Sequence, residues 1–164
     1  MHGRIFKEEQ TYRGTWVMYL VLMLEIPTLV LVAVIALNSN TDTDKAEGII
    51  ALAVVFTIIT LVMALIFNLK LETRIDEKGI HYRYFPFIGW RNVLKHQIHS
   101  AEVISFNPLS DHGGWGIKGN RTTKAYTVLG DKGLSLDLNE KKKIVIGTQK
   151  SQELKEFIEN WLED

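Results

Sequence analysis

Two apolar runs, residues 16–37 and 48–67, are joined by the short polar stretch 38–47, and nothing else in the chain constrains its fold as tightly. Each run is about 20 residues long, which at about 1.5 Å per helical residue crosses a hydrocarbon core of roughly 30 Å. The pattern predicts a transmembrane helical hairpin over 15–69, with helices at about 16–37 and 48–68. A cleaved signal peptide is the rival reading of the first run. The run is longer than an h-region of about 7–15 residues, no small-residue cleavage site follows it, and Asn38-Ser39-Asn40 reads as a loop.

Charge sets the expected orientation. The arm 1–14 carries Arg4, Lys7 and Arg13, and Lys70, Arg74 and Lys78 follow the second run. The link between the runs holds only Lys45, beside Asp42, Asp44 and Glu47. Basic flanks stay on the cytoplasmic side. The expectation is a multi-pass protein of the cytoplasmic (inner) membrane, with both termini cytoplasmic. Tyr12, Trp16 and Tyr19 fall at the inner boundary, where amphipathic rings favour the headgroup layer.

Of the 164 residues, roughly 95 are left for one small C-terminal domain over 70–164. Basic and acidic residues balance at 19 each, so the chain as a whole lacks the basic footprint of a nucleic-acid binder. Cysteine is absent, which excludes disulfide scaffolds, iron–sulfur ligation, thiol catalysis and Cys-built zinc sites. No pattern asks for a cofactor.

The first run contains Glu25, with Pro27 two residues on. A carboxylate near mid-membrane costs about 2.5–3.5 kcal/mol on insertion scales and normally faces a partner or water. A proton or ion relay needs several ionisable groups in series, and this run has one. The favoured expectation is a Glu25 that hydrogen-bonds Thr57 or Thr60 of the second helix, or a partner subunit. Proline tends to kink the helix one turn back. Ala51, Ala53 and Ala64, with the two threonines, are the expected helix–helix contact. A hairpin this small buries little of itself, which favours oligomerisation or docking on a larger membrane protein.

From Leu69 the period changes to two. Residues 69–76 alternate and predict a strand, Asp76-Glu77-Lys78-Gly79 a turn, and 80–85 a second strand ended by Pro86 and Gly89. Residues 90–99 fit a short helix or irregular segment as well as a strand. Further strands are expected at 101–106, 115–118, 123–129, 134–138 and 142–146, the pair 123–129 and 134–138 forming a hairpin about Gly130-Asp131-Lys132-Gly133. Thr148 or Ser151 then caps a helix whose Leu154, Phe157, Ile158, Trp161 and Leu162 form one apolar face. About seven short strands and one amphipathic helix imply a mostly-β barrel or sandwich plugged by that helix.

That order is similar to a pleckstrin-homology domain, and the chain resembles small bacterial membrane proteins in which a transmembrane hairpin precedes one such PH-like domain. The resemblance rests on residues 71–80, 98–104, Gly113-Gly114-Trp115-Gly116-Ile117-Lys118, Ala125-Tyr126-Thr127-Val128 and Ile146-Gly147-Thr148. It implies a PH-like barrel capped by the terminal helix. Phosphoinositide-binding relatives use a basic first hairpin turn. Here that turn has one base and two acids, which argues against headgroup binding by that route.

Other constellations have bland readings. Gly114-x-Gly116-x-x-Gly119 matches a dinucleotide fingerprint in letters but lacks the strand before it and the helix opening inside it. His96 and His99, with His81 and His112, give loose spacing without a carboxylate partner, and no metal is expected. Ser110-Asp111-His112 has triad letters side by side, whereas triads converge from separate segments. One basic cluster remains: Lys118, Arg121, Lys124, Lys141, Lys142 and Lys143, with Lys132 nearby. If it faces the membrane it can touch anionic lipid, or an acidic partner, at about 1 kcal/mol per base.

The functional expectation is a non-catalytic membrane-anchored module acting in protein interaction or assembly at the cytoplasmic face, as a homo-oligomer or with a protein partner. An accessory subunit of a transporter or respiratory complex is second. An enzyme working at the membrane surface is third, and a pocket converging Asp111, His112 and a second acid would raise it.

Overall fold

The computed structural model describes residues 4–38, 41–140 and 142–163, with backbone only for Asp42 and His112. The chain forms two compact units, one of residues 12–68 and one that joins the N-terminal segment to everything after Asn68.

The smaller unit is a helical hairpin, α1 Trp16–Leu37 and α2 Asp42–Asn68. Both helices are long and apolar enough to cross a membrane, and only 6% of each apolar window is buried, unlike the core helix of a soluble protein. α1 continues as one helix through Pro27. α2 starts about six residues before the expected position, taking in much of the polar link. The cause is local: Thr41 Oγ1 accepts the Asp44 N–H at 3.1 Å, and Asp44 and Glu47 lie near the positive end of the helix dipole.

The helices meet along two stripes. On α2 the half-buried positions are Gly48, Leu52, Val55, Ile59, Met63 and Ile66; on α1 they include Met18, Leu22, Glu25, Leu29 and Val32, ending at buried Ala36. Both stripes step by three and four, the spacing of one helix face. Gly48 is required where it stands, since a Cβ there would lie 2.7 Å from that of Ala36. Ala51, Ala53, Thr57, Ala64 and Thr60 are exposed, so the expected small-residue contact is replaced by larger apolar side chains. At the open end, Arg13 Nε donates to Phe67 O at 2.6 Å, tying the start of the hairpin to its finish.

The larger unit contains two open sheets and a terminal helix. Strands β1 Phe6–Thr11, β2 Lys70–Asp76, β3 Gly79–Phe85 and β4 Ile88–Leu94 form an antiparallel sheet in that order. Strands β5 Ser100–Ser105, β6 Gly116–Gly119, β7 Thr123–Thr127, β8 Lys132–Asp137 and β9 Lys143–Gly147 form the second, ordered β5-β8-β9-β7-β6 with β7 and β9 parallel. Among the described residues there are thus nine strands where about seven were expected, in two separate sheets and not one closed barrel. A short helix, α3 Pro108–His112, follows β5, and α4 Ser151–Glu163 closes the chain.

Two strands and one pairing differ from the sequence reading: the expected hairpin of 123–129 with 134–138 does not form, because β9 lies between β7 and β8. Residues 88–94 are a regular edge strand followed by a 3-10 turn, Lys95–Gln97. β1 lies in what reads as a polar arm, because its inward positions alternate Phe6, Glu8 and Gln10, and two of those are polar. Glu8 is held by Thr148 Oγ1 on one oxygen and by the Gln149 N–H on the other, both at 2.7 Å. Gln10 Nε2 donates to Gly147 O at 2.6 Å. β1 therefore joins the first sheet to the β9–α4 connection.

The core lies between the sheets. Leu71, Ile75 and Ile80 of the first sheet and Leu134 and Leu136 of the second are fully buried, and the Tyr82 and Tyr126 rings meet at 5.1 Å. Burial, with Tyr126 beside it, pushes the Tyr82 phenol well above its usual range. α4 buries Leu154, Ile158 and Trp161, the face its spacing predicts, while Leu162 stays exposed. Trp161 Nε1 donates to Asp76 O at 2.8 Å, and the Phe6 and Phe157 rings meet at 5.9 Å.

Candidate functional site

Glu25 is the one charged side chain on the α1 stripe that faces α2. Ala36 and Gly48 meet near the closed end. Eleven residues lead from Ala36 back to Glu25 and eleven from Gly48 on to Ile59, which sets the carboxylate level with Ile59 in an antiparallel pair. Thr57 and Thr60 do not answer it. Their hydroxyls donate to Ala53 O and Phe56 O of their own helix, each at 2.8 Å. Glu25 has no hydrogen bond or ion pair with any described residue. Beside it, Pro27 has no N–H to give, and Thr28 Oγ1 donates back to Leu24 O at 3.0 Å.

The basic cluster is brought together only in part. Register places Gly119 opposite Lys124 and Thr123 beside Lys143, which collects Arg121, Lys124, Lys142 and Lys143 at one end of the second sheet, with Lys118 one pair further in. Lys118 shares a face with Ala125 and Val145, as does Lys143 with Thr123, whereas Lys124 pairs with Ile144 on the other face. Lys142 Nζ donates to Asn120 O at 2.7 Å. Lys143 pairs with Asp137 at 3.2 Å. The Asn139 N–H and then Lys143 hold the Asp137 carboxyl below its ordinary value. Arg121 and Lys124 are exposed; Lys141 lies outside the described residues.

Next to these bases, on the face of the second sheet that bears Val145 and Ser135, is an open groove of about 490 Å³. Glu102, Ser135, Val145 and Lys143 form its floor, and Asp111 and Asn120 its wall. Two acids thus line one groove, but Asp111 is committed to its own loop: its Oδ2 accepts the Asn107 N–H at 2.7 Å and its Oδ1 the Ser110 hydroxyl at 2.9 Å. The His112 side chain lies outside what is described.

The glycine run leads into strand β6, so no helix follows it as a dinucleotide site requires. Gly113, Gly114 and Gly116 have positive φ and turn the chain so that Trp115 Nε1 reaches Gly130 O at 2.9 Å. Among the described residues, no three His, Cys, Asp or Glu side chains gather as metal ligands.

The fold and site define a class in physical terms: a two-sheet domain with an unusually bare apolar hairpin let into its first strand connection. No protein-family model, curated protein or solved structure matches the chain.

Proposed function

We propose that this chain is a non-catalytic membrane-anchored module with a PH-like domain, engaging a protein partner or organising an assembly at the cytoplasmic face of the inner membrane. The observation that carries the proposal is the insertion point of the hairpin. β1 and β2 are paired to their last residues, Thr11 opposite Lys70, and the whole hairpin is the excursion between them. A domain paired on both sides of its anchor has two attachment points and almost no linker. That suits docking and assembly better than reach. Pairing of Thr11 with Lys70 supports a reading in which both ends of the hairpin return to the same side, and the basic flanks favour the cytoplasmic one. The antiparallel four-stranded sheet and the closing helix support the PH-like reading; the parallel β7–β9 pair departs from it.

Arg121 and Lys124 are the accessible bases for an acidic partner or anionic lipid, with Lys118 beside them. A second reading, an accessory subunit of a larger membrane complex, is favoured by Glu25, whose side chain has no partner among the described residues of its own hairpin. Affinity purification of the full chain from native membranes in mild detergent tests both. A protein retained at constant ratio and lost on Glu25→Gln supports the subunit reading. One retained by that variant and lost on Arg121→Glu with Lys124→Glu supports docking through the domain. Recovery of the full chain in the aqueous fraction, after ultracentrifugation without detergent, would overturn the anchor itself.

A further inference from the structure

The first sheet gathers three exposed aromatic rings at one end, whereas Ile5 and Leu94 are the exposed aliphatic side chains at its other end. Phe85, Phe87 and Trp90, in and beside the turn between β3 and β4, are 44%, 60% and 49% exposed. Register fixes which end of the sheet this is. Thr11, Lys70 and Phe85 lie in one row across β1, β2 and β3, and the turn projects beyond that row. The same row is where the chain leaves for α1 and returns from α2. At about 4.8 Å between strands, Phe85 stands roughly 10 Å from Thr11. Four residues separate Thr11 from α1, and one separates α2 from Lys70. The exposed rings therefore stand at the end of the sheet from which the chain leaves for the hairpin and to which it returns. The other end of the sheet, Asp76-Glu77-Lys78-Gly79, is charged. The Arg83 guanidinium, ion-paired with Glu72, sits 4.9 Å over the Trp90 ring, and Arg91 is exposed beside it, so the turn combines rings with an exposed cation, as the headgroup layer favours.

We infer that the β3–β4 turn seats Phe85, Phe87 and Trp90 in the headgroup layer of the bilayer, a contact additional to the two strand connections of the hairpin. The inference rests on the anchored reading proposed above. Aromatic rings with a polar or cationic neighbour partition to that layer.

The chain has no cysteine, so single probes can be placed without background. Phe87→Cys, Glu77→Cys and Val30→Cys would each carry an environment-sensitive fluorophore in full-length protein reconstituted into phosphatidylcholine vesicles with and without phosphatidylglycerol. All three positions are exposed, so the labels leave the core intact. The expected result is blue-shifted emission at Phe87, quenched several-fold more by shallow lipid-borne quenchers than the Glu77 probe, with Val30 quenched best by deep ones. A Phe87 probe as aqueous as the Glu77 probe, with Val30 deep, overturns the inference and leaves the anchor standing. A Val30 probe in water overturns both. A Phe87 signal that fades on dilution of protein in lipid assigns the turn to a second copy and also overturns the inference.

Discussion

Glu8 and Glu25 stand on the inward stripe of their respective elements, one in each compact unit, and they are treated in opposite ways. Glu8 is 7% exposed, and each carboxylate oxygen has a donor supplied by the β9–α4 connection. Glu25 faces an apolar helix whose two nearby hydroxyls are spent on their own backbone. A buried carboxylate with its donors in place holds a structure together, whereas one without them requires a group from elsewhere. The domain therefore supplies both donors to Glu8, while no described residue supplies one to the Glu25 side chain. A similar contrast holds for apolar surface, most of which the domain packs inward while the hairpin displays it outside its contact stripes.

The strongest way to break the comparison is through packing. Leu134 is fully buried between the sheets, and Leu134→Ala should cost the domain about 2–5 kcal/mol. Val30 is 57% exposed on α1, and Val30→Ala should leave domain stability within about 0.5 kcal/mol. Denaturant unfolding in detergent, followed by near-ultraviolet circular dichroism, reads both. Equal losses would mean that the hairpin and the domain unfold as one cooperative body.

The next effect separates the two carboxylates. Glu8→Ala strands the Thr148 hydroxyl and the Gln149 N–H and should destabilise the domain by about 1–3 kcal/mol. Glu25→Gln should leave the same unfolding curve unchanged and act only on what co-purifies with the hairpin. A Glu25→Gln variant that shifts the domain's midpoint as far as Glu8→Ala does would contradict the division drawn here.

What was legible in the sequence follows the same line. Length and apolarity are local properties, so the hairpin reads directly, as does α4 from its three–four spacing. β1 was hidden because Glu8 and Gln10 occupy its core-facing positions, and the residues that answer them lie at the far end of the chain. The start of α2 was misplaced because a threonine cap and first-turn acids outweighed the polarity of the link. The lysines at 118–124 and 142–143 read as one patch, but strand register turns Lys124 to the face opposite Lys143, and register with a parallel partner leaves no local trace. The exposed rings at 85–90 were visible as residues. Only the pairing of Thr11, Lys70 and Phe85 shows where they stand.

The smallest expected effect concerns the charged end of the first sheet. Burial alone would raise the Asp76 carboxyl, but the His81 contact at 3.2 Å and the Lys78 N–H at 3.0 Å outweigh it, and the net shift is downward. A carboxyl whose folded value lies below its unfolded one takes up protons on unfolding. Its contribution is present above the unfolded value of about 4 and is lost as pH falls through the lower folded value. Asp76→Asn should therefore lower stability at neutral pH and flatten its acid limb, because the variant has no proton to take up there. The Asp76 carbonyl still accepts Trp161 Nε1, so the seat of α4 is retained and the change isolates the carboxylate. Thermal midpoints measured from pH 7 to pH 3 check this. Wild-type and variant curves should converge toward the acid end; curves that stay parallel over the whole range would show that the His81 and Lys78 contacts do not favour the charged form.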